Sequence, residues 1–459
     1  MLPEVALLEI FHFYVDGSAR TEEWHTLVHV CRKWRNVVFG SPRRLNLRLR
    51  CSTRTPVRKT IDAWPLLPII VSSHGGYSYH KWSGDNIIAA LEHNDRIREL
   101  DFIYLTSSQM EKVLAAMQQP FPALENLKLH STSETVAVPA SFLGGSAPQL
   151  QTLWLASIPF PGLPKLLLSA IHLVELRLYH IPHSGYFSLE AIVTCLSALI
   201  RLEYLEIGFE SPRSRPDRRR RPPPPTRTLL PTLTSFVFKG VSEYLDDLVA
   251  RIDAPLLEDL DIAFFYQLIF DTPQLTQFIS RTPKFKACDG AQVLFSNFSV
   301  WVLTIDRVLS LSISCRQSDW QLSSLAQVCG SIFIPAIEHL YIQRSRDFPL
   351  SWPDDIETGQ WLELLHQLTA VKHLHISPEF TPHIAPTLQE LAGGRATEVL
   401  PALQTLFLEG TLPSDVQETI DKFVAARELA GHPIAVSRWL DSDSDFDSDS
   451  DSEYDSDSD

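Results

Sequence analysis

One pattern recurs through this chain: an apolar residue, two others, an apolar residue, one other, an apolar residue. It stands at Ile97, Leu100 and Phe102, at Leu124, Leu127 and Leu129, at Leu150, Leu153 and Leu155, and at Leu173, Leu176 and Leu178. It continues at Leu202, Leu205 and Ile207, at Leu233, Phe236 and Phe238, at Leu257, Leu260 and Ile262, and at Val308, Leu311 and Ile313. The last three copies are Ile337, Leu340 and Ile342, then Val371, Leu374 and Ile376, then Leu403, Leu406 and Leu408. Neighbouring copies lie roughly 23 to 34 residues apart, except between Leu260 and Leu311, where the gap leaves room for a degenerate copy near residues 285–290. Each copy alternates like a short strand buried on one side. Between them run stretches with helical spacing, such as Met110, Val113, Leu114 and Met117, or Leu189, Ile192, Val193, Leu196 and Leu199. Prolines ahead of several copies stop the preceding helix. Strand then helix at this period predicts an α/β fold, a parallel curved sheet with helical crossovers in which no unit covers its apolar face alone.

These motifs resemble an irregular leucine-rich-repeat solenoid, placed at 97–412. The asparagine or cysteine that closes the family's signature is mostly absent, which implies uneven curvature. The alternative is a conventional α/β domain with leucine-rich strands. A helix over 413–431, N-capped by Ser414 and ended by Gly431, is expected to cap the open end within 413–440.

Charge is unevenly placed. The formal net charge is −15, but residues 441–459 hold nine Asp and one Glu, so the rest is only mildly acidic. That block repels itself and is expected to be a disordered tail. Residues 211–228, with seven Arg and six Pro, are expected to be a disordered insertion in the array. Six cysteines without a C-x-x-C pair argue against a zinc module or disulfide framework. No basic n-region opens the chain and no apolar run approaches the roughly 18 residues of a membrane helix. A cytoplasmic or nuclear protein is the expectation.

The front of the chain carries two helical stripes, Leu7, Leu8, Phe11 and Val15, then Leu27, Val30, Cys31 and Trp34. The residues Leu2-Pro3-Glu4-Val5, Leu8, Ile10 and Phe11, Val30-Cys31-Arg32 and Trp34 resemble the F-box, the three-helix module that docks on the Skp-type adaptor of cullin-RING ubiquitin ligases. The resemblance spans about 1–40. It implies that Leu2 and Pro3 enter the adaptor groove, that Leu8, Ile10, Val30 and Trp34 form the contact and core set, and that Cys31 is a packed thiol. The long first connection, residues 16–26, departs from the usual module. The front as a whole is similar to the expanded family of F-box-like proteins in mushroom-forming fungi. That resemblance implies a strand over 43–49 and an N-terminal cap of the solenoid from residues 64–71, within a linker and cap region at 41–96.

No phosphate-binding loop, dinucleotide fingerprint or nucleophile elbow is present. His25 and His29 share a helix face without a third metal ligand, and His373 and His375 alternate on a strand. Neither catalysis nor a cofactor or metal is expected. What is expected is proximity: the bound conjugating enzyme does the chemistry while this chain holds a protein substrate. Strand residues between and beside the apolar positions are expected to point to the concave side of the array, and Trp154, Arg177, Tyr179, Tyr341, His375 and Phe407 are the types that dominate interface energy. Glu99, Asp101, Asp259 and Asp261 stand there against Lys128, Arg177 and Lys239, a mixed sign that argues against nucleic acid. Ser442, Ser444, Ser448, Ser450, Ser452 and Ser456 each have an acid three residues on and are candidate phosphorylation sites. The alternative function is a repeat scaffold without ligase docking.

Overall fold

The computed structural model describes residues 2–16, 24–42, 44–52, 57–73, 84–132, 136–212, 226–266, 270–315, 319–331, 337–345, 358–392 and 395–439. The chain forms two compact units, Met1–Ala287 with Asp306–Ser314, and Cys288–Ile305 with Cys315–Asp459.

The first unit opens with helices α1 (Glu4–Asp16), α2 (Trp24–Val30) and α3 (Arg32–Gly40). Leu7, Leu8 and Phe11 bury one face of α1 against Leu27 and Val28 of α2 and Val37 and Val38 of α3. The single stripe expected across Leu27 to Trp34 is broken at Cys31. Its backbone is extended (φ −162°, ψ 167°) and its sulfur accepts the Trp34 N–H that begins α3. Cys31 is therefore an exposed cap, not the packed thiol expected.

Strands β1 (Leu49–Ser52), β2 (Ile69–Ser72), β3 (Ile97–Leu105) and β4 (Asn126–Ser131) follow, then β5 (Thr152–Ala156), β6 (Glu175–Ile181) and β7 (Tyr204–Phe209). After them come the two-residue β8 (Thr228–Leu229), β9 (Ser235–Gly240), the two-residue β10 (Ile252–Asp253) and β11 (Asp259–Phe264). The strand expected over 43–49 begins only at Leu49, because residues 44–46 turn and Asn46 takes φ 47°. β1 to β7, β9 and β11 pair side by side and in parallel. Leu100, Leu127, Leu153, Leu176, Leu205, Phe236 and Leu260 are register partners in successive strands and essentially solvent-free. Each such side chain contributes about 2 kcal/mol by leaving water. Crossover helices supply the other side of this layer, as Leu189, Ile192, Cys195 and Leu196 of Leu189–Ala198 do.

Successive repeats are also joined by polar staples. The Asp246 carboxylate accepts the N–H groups of Gln274 and Leu275 at 2.8 and 2.9 Å, capping the next helix, Pro273–Arg281. Burial, against those two hydrogen bonds, pushes its carboxyl up to about 6. Asp246→Ala is expected to cost about 1–2 kcal/mol in urea unfolding, and Asp246→Asn, which keeps an acceptor, markedly less.

No repeat motif fills the gap near 285–290. A 3-10 turn, Pro283–Ala287, leads into an antiparallel hairpin of β12 (Gly290–Phe295) and β13 (Ser299–Thr304), both in the second unit. β14 (Leu309–Ser314) returns to the first unit and pairs with β11, Leu260 opposite Leu309, which sets its motif two residues out of step. In the second unit β12 pairs in parallel with β15 (His339–Arg344), followed by β16 (His373–Ile376), β17 (Thr405–Glu409) and β18 (Ala435–Trp439). The helix before β18, Ser414–Leu429, has Pro413 as its cap residue and no side-chain cap bond, so Ser414 is its first residue and not its N-cap. Gly431 ends it at φ 81°. That helix is followed by a strand where the expectation was a cap alone. Residues 213–225 of the Arg- and Pro-rich segment, and the six candidate serines, lie outside the described residues.

Candidate partner-binding surfaces

The front presents apolar side chains outward. Leu2 is 54% exposed and Phe13 84%, with Val5, Ile10 and Val30 at least half exposed and Pro3 beside them. Lys33 donates to the Leu2 carbonyl at 3.0 Å, tying the leading residues to α3. Trp34 is half-buried, its ring 4.8 Å from that of Phe11. Leu8 does not belong to this patch. At 7% exposure it serves the core, because the residues around it on the wheel, Leu7 and Phe11, define the inward arc of α1. Val5 and Phe13 join the patch unforeseen; a helix with more apolar residues than one face can bury was the available signal.

Behind the patch Trp24 is 1% exposed, donates from Nε1 to the Arg48 carbonyl at 3.0 Å, and meets the rings of Trp64 and Phe39. His25 stacks flat on Trp64 and His29 meets its edge. Among the described residues no three His, Cys, Asp or Glu converge as metal ligands.

On the first unit's open face, Trp154 of β5 stands opposite Arg177 of β6, and Ala156 opposite Tyr179. Arg177 ion-pairs with Glu175 and lies 4.2 Å over the Tyr204 ring. Tyr179 stacks on His180 at 4.0 Å, with the Lys239 ammonium 6.0 Å from the Tyr179 ring. His130 lies between Tyr104 and Trp154, its centroid 4.8 and 6.4 Å from theirs. Tyr104 and His180 have φ 58° and 50° where the β3 and β6 registers shift. Non-glycine residues pay to sit there. Burial lowers the pKa of both His130 and His180, the latter further through Lys239 and His130. Glu206 and Asp261 share the face, and burial raises both carboxyls. Its charge is mixed.

The second unit's open face differs. Gln292, Tyr341, His375 and Phe407 are register partners across β12, β15, β16 and β17. The Tyr341 and His375 rings stack at 4.1 Å, and those of His375 and Phe407 at 4.0 Å with 1° between planes. His339 stacks on His373 at 4.5 Å one row below, and the Gln292 amide bonds that of Gln343 beside them. Gln343, His375, Ile376, Ser377, Phe407 and Glu409 line a shallow hollow. Residues distant in sequence thus converge because each strand adds one ring at the same height. The expected anchors fall into two groups, Trp154, Arg177 and Tyr179 in the first unit and Tyr341, His375 and Phe407 in the second.

His375 is pushed down to about 4, first by burial and then by His339 and His373. Its folded pKa lies below the ordinary 6.5, so its contribution is full above 6.5 and is lost as pH falls toward 4. His375→Phe keeps the stack and is expected to flatten this acid-side loss, read as urea midpoints at pH 7 and pH 4.5. An unchanged pH profile would contradict it.

No described helix is long and apolar enough to cross a membrane. No family model matches this chain, and no curated protein matches it.

Proposed function

We propose that this chain is a non-catalytic substrate receptor of a cullin-RING ubiquitin ligase, similar to the F-box-like leucine-rich-repeat proteins of mushroom-forming fungi. The outward apolar patch of Leu2, Pro3, Val5, Ile10 and Phe13 carries the reading. These are exposed apolar side chains on a three-helix module leading a parallel strand-helix array, flanked by the ion pair of Glu9 and Arg44, and exposed apolar side chains rimmed by polar residues mark an interaction site. Docked there, a Skp-type adaptor covers the patch, Trp34 packs behind it, and the array acts as an irregular leucine-rich-repeat solenoid that holds substrate. The bound ubiquitin-conjugating enzyme supplies the chemistry, so this chain needs only to raise the local concentration of the target. The ring-bearing faces are the substrate surfaces, with Tyr341, His375 and Phe407 as anchors in one and Trp154, Arg177 and Tyr179 in the other. Such a receptor works in the cytoplasm or nucleus.

Co-purification with a Skp-type adaptor tests the reading. Wild type captures the adaptor, and the Leu2→Ala, Pro3→Ala double variant, whose changes are at exposed positions, loses capture while its circular dichroism is unchanged. No capture by wild type would make the chain a repeat scaffold and the front helices its cap.

A further inference from the structure

The hollow on the second unit's open face holds buried polar atoms that no described residue satisfies. It is lined by Gln343, His375, Ile376, Ser377, Phe407 and Glu409 and measures about 10 Å³. One small residue in a row of long ones creates it. Ser377 follows β16, and its N–H extends the ladder to the Ile342 carbonyl at 3.0 Å, which sets it between Gln343 of β15 and Glu409 of β17. A serine between two long side chains leaves the space above it open. Ser377 is only 6% exposed, yet its Oγ has no hydrogen-bond partner, and neither has the buried Nδ1 of His375. Buried polar groups are nearly always bonded, and leaving one unmade costs about 1–3 kcal/mol. Two such atoms in one hollow point to a group supplied by another molecule.

The chemistry of the lining selects that group. Glu409 is the only charged residue among the six, and its charge is negative. Burial holds the His375 imidazole at about 4, so it is neutral at pH 7 and one of its nitrogens can accept. A serine oxygen, an imidazole nitrogen and a carboxylate together suit a cationic group with several donors. Size then separates the two candidates. The hollow takes about one water-sized group. An ammonium is a compact point charge with three donors, whereas a guanidinium is a planar fork too broad for the space. We propose that this hollow binds the ammonium of a lysine on an extended segment of the substrate, with Ser377, His375 and Glu409 as its acceptors. The stacked rings of Tyr341, His375 and Phe407 take the apolar residues beside that lysine. Acetylation removes the charge and enlarges the head group, so an acetylated segment is refused. The site lies within the substrate face proposed above and rests on that reading, but peptide binding is measured without the adaptor, so the two can fail separately.

The test exposes the immobilised full chain to short peptide libraries with mixed uncharged flanks and a fixed central residue, either lysine, arginine, acetyl-lysine or norleucine. Lysine peptides are expected to be retained roughly tenfold more than each of the others. Ser377→Val fills the hollow and Glu409→Gln removes its charge. Each should bring lysine retention down to the arginine level while adaptor capture and the thermal midpoint stay as in wild type. Glu409→Gln, at a half-buried position, decides the matter alone if valine disturbs the packing. Equal retention of lysine and arginine by wild type would overturn the proposal, leaving a carboxylate that attracts any cation. Norleucine matching lysine would overturn it too, because the face would then read apolar shape alone, and so would retention of no library. A lysine preference that survives both substitutions would place the site elsewhere and equally overturn it.

Discussion

Arg427→Ala will cost the second unit about 3 kcal/mol or more, although Arg427 touches no carboxylate in the described structure. The residue has no solvent exposure. Its guanidinium donates to the carbonyls of Ala396, Leu400 and Leu403 at 3.1, 3.3 and 3.3 Å, gathering the turns that lead into β17. Truncation strands the Ala396 and Leu403 carbonyls, each costing about 1–3 kcal/mol, while that of Leu400 keeps the Leu403 N–H, and it also empties a large volume. Removing a buried cation recovers part of that through desolvation, since burial already lowers the Arg427 pKa. Arg427→Met separates the two effects because it fills the space without donors. A urea midpoint close to wild type for the methionine variant would show that volume matters and the carbonyl bonds do not. The expected result is that both variants fall, alanine further.

Trp24→Ala is the second large effect, expected at about 3–5 kcal/mol and confined to the front. Trp24 is the joint between α2 and the chain entering β1, through the Arg48 carbonyl and the ring cluster of Trp64 and Phe39. In a repeat array each unit leans on its neighbours, so losing the first element leaves later ones standing. Limited proteolysis should open new cleavages within residues 2–48 while the strands from β3 onward stay protected. Adaptor capture should be lost together with that protection. Cleavage spread evenly along the chain would show instead that the front and the array unfold as one.

The strand positions were readable from sequence because burial in a parallel array imposes a strict period, and the second and third apolar positions of each motif lie on a strand. The hairpin of β12 and β13 was not found, although its two alternating runs meet at Ser296-Asn297, because it carries strand alternation without the repeat motif. β18 escaped for the opposite reason: Ala435–Trp439 is short and half polar, and only the exposed edge of β17 makes it a strand. The break at Cys31 rests on one sulfur cap, which helical spacing does not register.

The binding surfaces were visible as residue types and not as places. Tyr341, His375 and Phe407 could be named from composition, yet their stacking at about 4 Å follows from a register that sequence spacing alone leaves open. Leu8 and Ile10 looked equivalent as apolar neighbours, and only the packing of α1 divides them into core and surface. Arg427 and Asp246 gave no signal at all, since their partners are main-chain groups more than twenty residues away.

The most direct test of the receptor reading is the affinity of a Skp-type adaptor for the full chain, measured by calorimetry for wild type and for Phe13→Asp. Phe13 is the most exposed residue of the patch, so the substitution leaves the core intact while placing a charge in the contact. The receptor reading predicts saturable binding by wild type, weakened at least roughly a hundredfold in the variant at unchanged thermal stability. Absence of binding by wild type, or equal affinity in both, would contradict it.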